Sequence, residues 1–76
     1  MRILGIDPGL AIVGWSIVDF DKDGEPTAID YGAITTEKGE SVGNRLSEIY
    51  DDLNSIIEEF KPDYCGLETL LFYNNA

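Results

Sequence analysis

The sequence predicts an α/β fold: a mixed sheet built from an antiparallel three-strand meander, a crossover helix and a parallel fourth strand. Three observations carry that expectation. The apolar run "RILGID" (2–7) is too short for a helix, the stretch from Leu46 to Phe60 spaces its apolar residues as a helix does, and "YCGLE" (64–68) resumes strand character just after a helix stop. A strand–helix–strand order returns the last strand parallel to an earlier one through a right-handed crossover, most simply beside the first.

Residues 2–7 alternate too little for a one-sided strand and read as a central strand with both faces covered. "VGWSIVDF" (13–20) and "AIDYGAITT" (28–36) are rich in β-branched and aromatic residues, and "DKDGEP" between them supplies the Asp, Gly and Pro of a turn. Leu46, Ile49, Tyr50, Leu53, Ile56, Ile57 and Phe60 then form one apolar stripe, with Glu48, Asp52, Glu58 and Glu59 outside it. Ser41 or Asn44 suits the helix start, Lys61 the last turn, and Pro62 the stop. Asn74 or Asn75 suits the cap of a further helix, so the 76 residues read as the N-terminal part of one longer domain.

A chain this small buries only about 60% of the surface it exposes when unfolded, so its core is marginal. Hydrophobic residues make up 43% and charged residues 26%, the balance of a globular domain. No apolar stretch approaches the roughly 20 residues of a membrane span, and residues 1–20 lack the pattern of a secretory signal, which makes the cytoplasm the expected location and a membrane partner unexpected. Cys65 is the single cysteine and histidine is absent. That composition excludes disulfides within the chain, the common zinc sites and Ser-His or Cys-His catalysis. Chemistry must run on carboxylates. Fifteen Asp and Glu against five Lys and Arg give a formal charge of −10, which repels nucleic acid unless metal ions or a basic segment intervene.

If strands 2–7 and 64–68 are parallel neighbours, Asp7 and Glu68 both sit at carboxyl ends with backbones about 4.8 Å apart. Open α/β sheets bind ligands at that end, and two oxygen donors so placed suit Mg²⁺, with Mn²⁺ as substitute. Pro8 and Gly9 turn the chain sharply away and let phosphate approach the backbone. Pattern alone favours the plainer reading, in which Asp7 caps a turn and Glu68 ends a solvated strand.

"ILGIDPGLAIVGWSIVD", "GNRLSEIYDDL" and "PDYCGLETLLFYNNA" together resemble, in register over the whole chain, the RuvC family of crossover-junction endonucleases. The resemblance implies an RNase H-like fold and a homodimeric, Mg²⁺-dependent enzyme that cuts two opposed strands of a Holliday junction. It implies four-way junction DNA and the RuvA–RuvB branch-migration complex as partners in recombination and repair. Asp7 and Glu68 match the first two of the family's four catalytic, metal-binding carboxylates. The other two would lie on a helix beyond Ala76, so these 76 residues are expected to be inactive alone. The family usually has an aromatic residue near Leu71 and often a basic one near Asn74. Here Phe72 and Tyr73 are the neighbouring aromatics, and Gly9, Leu71, Phe72 and Tyr73 are the candidate DNA contacts, with core packing the competing role for Phe72. Trp15 is expected in the core, and Arg45 either touches phosphate or is solvated beside the acidic helix face.

Two further patterns compete. Asp19, Asp21, Asp23, Gly24 and Asp30 follow the spacing of a calcium-binding EF-hand loop, but both flanks read as strands, Pro26 interrupts the loop, and an acidic hairpin turn is the expectation. The turn after Asp7 is also similar to that of actin- or hexokinase-like ATPases. Leu10, Ala11 and Ile12 offer no side-chain donors for a nucleotide phosphate, which favours the nuclease. A non-catalytic interaction module of the same fold is the third alternative.

Overall fold

The computed structural model describes residues 1–67. Glu68, Leu71, Phe72, Tyr73, Asn74 and Asn75 lie outside the described residues. Five elements follow one another: β1 (Arg2–Asp7), β2 (Ile12–Phe20), β3 (Pro26–Thr35), α1 (Val42–Phe60) and β4 (Tyr64–Leu67). They form a four-stranded sheet in the order β3-β2-β1-β4. β1 pairs antiparallel with β2 and parallel with β4, and β2 pairs antiparallel with β3. The meander, the crossover helix and the central place of β1 are as the sequence predicts.

The boundaries shift for local reasons. β3 begins at Pro26 rather than Ala28, paired with Phe20, because an edge strand tolerates a residue without an N–H. It ends at Thr35. β2 starts one residue early, where Ile12 pairs with Thr35. A register shift between Ile17 and Val18 leaves Ile29 as the extra residue of a bulge in β3.

Ser41 is the helix cap: its hydroxyl accepts the Asn44 N–H at 3.1 Å. Lys61 lies one residue past the helix rather than in its last turn. It adopts the left-handed conformation at φ 49°, and its N–H donates to the Ile57 carbonyl at 2.8 Å. Pro62 follows and prevents continuation.

Alternation along β1 sends Leu4 and Ile6 under α1, and Ile3, Gly5 and Asp7 to the opposite face. The core is Leu4, Ile6, Val13, Ile17, Ile34 and Ile56, with Leu4 and Ile17 fully buried opposite each other. Ile49, Leu53 and Phe60 press onto it from the helix. The stripe is narrower than its spacing suggests: Leu46, Tyr50 and Ile57 remain exposed because the row 49-53-56-60 meets the sheet. Trp15 belongs to the core margin, its ring centroid 6.1 Å from that of Phe60. A Cβ on Gly32 would come within 2.9 Å of the indole, so glycine admits the ring.

The acidic hairpin is self-contained. Asp21 Oδ1 accepts the N–H groups of Asp23 and Glu25, both at 2.9 Å, and Gly24 takes φ 82°. Asp19 is held by Arg2 and Asp30 lies within β3, so the acids of the calcium-like pattern are dispersed. Among the described residues no helix is long and apolar enough to cross a membrane.

Candidate metal and nucleic-acid site

Asp7 ends β1 and is exposed. It is placed by the strand, since Ile6 pairs with Trp15 on one side and Leu67 on the other, while Asp7 itself pairs with Gly14. A Cβ on Gly14 would lie 3.6 Å from the Asp7 Cβ. Gly14 itself places no side chain against the carboxylate. Gly5, Gly14, Ser16 and Gly32 join Asp7 in lining an open groove of about 280 Å³. Glycine inside a strand marks close approach of a ligand or backbone. That signal stands in the sequence at Gly5 and Gly14, and the sequence reading did not use it.

The turn after Asp7 is exposed throughout, from Pro8 to Ala11. Gly9 is sterically required there, because a Cβ would sit 2.5 Å from the Ile12 carbonyl oxygen. Thr36 anchors the turn from beyond the end of β3. Its N–H donates to the Ala11 carbonyl at 3.1 Å, and its hydroxyl donates to the Leu10 carbonyl at 2.8 Å. The same hydroxyl accepts Arg45 Nε at 2.9 Å. Arg45 is thus half-buried and bonded through Nε to the loop support. The sequence names Arg45 but points neither to Thr36 nor to the bond between them, since that bond joins elements that only the fold brings together.

A second groove, of about 490 Å³, opens between Pro8, Gly9 and Leu10 on the turn and Leu46, Ile49 and Leu53 on α1, with Leu67 also lining it. Its walls are apolar, so Asp7 stands between this groove and the glycine-floored one, whose lining sets Ser16 beside the apolar Ile6 and Trp15. Only the glycine-floored groove offers a hard oxygen donor with room beside it.

Among the described residues no three His, Cys, Asp or Glu side chains gather at one point. Asp7 supplies one carboxylate, and the room beside Gly14 fits an ion that keeps several waters, as Mg²⁺ and Mn²⁺ do. β1 and β4 are paired as far as Ile6 and Leu67. Glu68, the next residue, and the candidate contacts Leu71, Phe72 and Tyr73 fall outside the described residues. Gly9 stands in the exposed turn beside Asp7.

Residues 3–76 match the model of the family described as crossover junction endodeoxyribonuclease RuvC. The chain is 51% identical over 76 residues to a crossover junction endodeoxyribonuclease RuvC of Finegoldia magna, covering all of this chain and 46% of that protein. It spans about half the length of the curated relatives it matches. Among solved structures, Thermus thermophilus RuvC in complex with a Holliday junction substrate superposes with a TM-score of 0.84 at 22% identity, over 97% of this chain and 47% of that one. An exopolyphosphatase from Cytophaga hutchinsonii superposes with a TM-score of 0.71 at 19% identity, over 88% of this chain and 24% of that one. Both likenesses establish the fold, which is RNase H-like.

Proposed function

Since the chain belongs to the family of crossover junction endodeoxyribonuclease RuvC, we propose that it forms the N-terminal part of a Holliday junction resolvase whose catalytic and metal-binding residues here are Asp7 and Glu68. The observation that carries this reading is the exposed Asp7 carboxylate at the end of the central strand, with a glycine-lined groove on its open flank. Hard oxygen ligands at a strand end suit Mg²⁺, with Mn²⁺ in its place. Asp7 and Glu68 would hold such ions, whose chemistry there would be to activate water and neutralise the leaving oxygen of an in-line attack on a phosphodiester.

The protein's own part is positional. β1 fixes the Asp7 backbone through its pairing with Gly14 of β2 and through Ile6, which is paired on both sides, and the tight turn at Pro8 and Gly9 lets a DNA backbone pass close to that carboxylate. Glu68 follows Leu67 directly and supplies the second carboxylate, while Leu71, Phe72 and Tyr73 come next as DNA contacts, the aromatics offering rings on which bases stack. A net charge of −10 means that junction binding needs metal ions and basic surface from outside these residues, so the 76 residues alone bind metal weakly and do not cut. Family membership supports action in the cytoplasm as a homodimer on four-way junctions, in company with the RuvA–RuvB complex.

The test is gel analysis of a four-way junction in Mg²⁺ with the protein as its gene encodes it. Paired nicks in opposed strands that vanish in Asp7→Asn and in Glu68→Gln are expected. Cleavage that survives both substitutions overturns the reading. An ATP titration separates the actin- or hexokinase-like alternative, for which Leu10, Ala11 and Ile12 provide no side-chain donors.

A further inference from the structure

We infer that Thr36 and Arg45 are positioning residues for Asp7, an inference that rests on the metal-site reading above. The turn Pro8–Ala11 carries the chain away from Asp7 and is exposed at all four residues, so burial does little to hold it. Its restraint is polar. Thr36 takes two successive carbonyls of the turn, Ala11 through its N–H and Leu10 through its hydroxyl. Arg45 Nε then donates to that hydroxyl, which orients the hydroxyl proton toward Leu10.

Arg45 is itself fixed. It stands in the first turn of α1, where its N–H donates to the Ser41 carbonyl at 3.0 Å and the Ser41 hydroxyl caps the helix through Asn44. A continuous line of bonds therefore runs from the capped start of α1, through the end of β3, to the turn that follows Asp7. Among the described residues the ion pairs are Arg2 with Asp19 and Lys61 with Glu58, so this chain of fifteen acids leaves one of its few cations on a threonine hydroxyl. A carboxylate ligand works only when its backbone is held to within about 0.5 Å, and partners behind a metal ligand typically alter metal affinity by about 10–100-fold when removed. The bonds to Thr36 fix Leu10 and Ala11, three and four residues beyond Asp7, and so restrain the chain where it leaves β1.

The experiment uses the 76-residue chain labelled with ¹⁵N, as wild type, Thr36→Val, Thr36→Ser and Arg45→Met. Order parameters for Gly9, Leu10 and Ala11 are expected near the rigid value of about 0.85 in wild type and Thr36→Ser, and below about 0.6 in Thr36→Val. Mn²⁺ titration should show binding about tenfold weaker in Thr36→Val, restored to within about twofold by Thr36→Ser and weakened in Arg45→Met. A turn that stays rigid in both Thr36→Val and Arg45→Met overturns the inference, as does weaker binding with no loss of order. If wild type shows no Mn²⁺ effect that Asp7→Asn abolishes, the metal reading fails instead, and the order parameters alone decide whether Thr36 holds the turn. Should Thr36→Val not fold, Thr36→Ser and Arg45→Met make the same comparison.

Discussion

Arg2 and Asp19 face each other across β1 and β2 and are joined by two parallel bonds, Nε to Oδ1 at 2.7 Å and Nη2 to Oδ2 at 2.9 Å. The same guanidinium donates Nη1 to the carbonyl of Phe60, the last residue of α1, at 2.9 Å. The Arg2 N–H donates to Asp63 Oδ2 at 2.8 Å, and the Asp63 N–H returns a bond to the Arg2 carbonyl at 2.7 Å. One residue thus ties two strands to the end of the helix and the entry to β4.

That clamp has a pH signature. The hydrogen bond from Arg2 is the main cause holding the Asp19 carboxyl below its ordinary value, against a smaller opposing effect of burial. A folded-state value below the unfolded one gives stability that is present above about pH 4 and lost as the pH falls through the folded value. Arg2, whose own value is raised by Asp19, stays protonated throughout. Urea unfolding of Asp19→Asn should therefore show lower stability than wild type at pH 7, with the gap closing as the pH is taken well below 4. A gap that is constant with pH would show that Asp19 acts through packing alone.

The two glycines beside Asp7 should respond oppositely to alanine. Gly9→Ala places a Cβ 2.5 Å from a backbone oxygen that cannot rotate away, whereas Gly14→Ala makes an ordinary 3.6 Å contact. The expected costs are about 1–3 kcal/mol for Gly9 and within about 0.5 kcal/mol for Gly14. Denaturant midpoints of the two variants decide the matter, and equal values would be inconsistent with the turn geometry.

Leu4 and Ile17 carry the core on the helix side. Leu4→Ala should cost about 2–5 kcal/mol. For 76 residues the whole stability scales to about 4–11 kcal/mol, so this variant is expected to lose a large share of it and to melt well below wild type. Tyr50→Ala, on the exposed shoulder of α1, should melt within a few degrees of wild type. Circular dichroism melts compare the two directly.

Self-association should be measurable. Among the described residues α1 covers one face of the sheet, Leu10, Leu46 and Leu67 are exposed around the apolar groove, and β4 lies at the edge of the sheet. Sedimentation equilibrium at micromolar concentration is expected to show the apparent mass rising with concentration, and Leu46→Lys should reduce that rise. A monomer at every concentration, with cooperative unfolding, would mean that these surfaces need no cover.

Much of this fold is legible in the residues because the signals are local. The apolar block of β1, the 3.6-residue row of α1 and the Pro62 stop each report on their own neighbourhood. Asp7 is legible for the same reason, being an acid between an apolar run and a Pro-Gly turn. The start of β3 is not, because Pro26 argues against a strand until its edge position is known. Nor is the exposure of Tyr50 and Ile57, since a helical row shows which residues share a face but not how wide the covering sheet is. The link from Arg45 through Thr36 to Leu10 joins a helix, a strand end and a turn, and no pattern of spacing announces it.

β1 takes its partners at two very different distances along the chain. Its antiparallel neighbour includes Asp19, 17 residues from Arg2, whereas the contact between Arg2 and Asp63 spans 61 residues. Closing the longer loop costs more entropy and waits for the helix between. During synthesis at about 5–20 residues per second, the meander is complete before β4 has been made. We hypothesise that Asp7 reaches its final backbone position early and that β4 docks last. Pulse-labelled hydrogen exchange would show β2 amides protected ahead of those of Tyr64 to Leu67, and simultaneous protection would refute that order. On this route the nascent chain sets the backbone of Asp7 seconds before the strand ending at Leu67 leaves the ribosome.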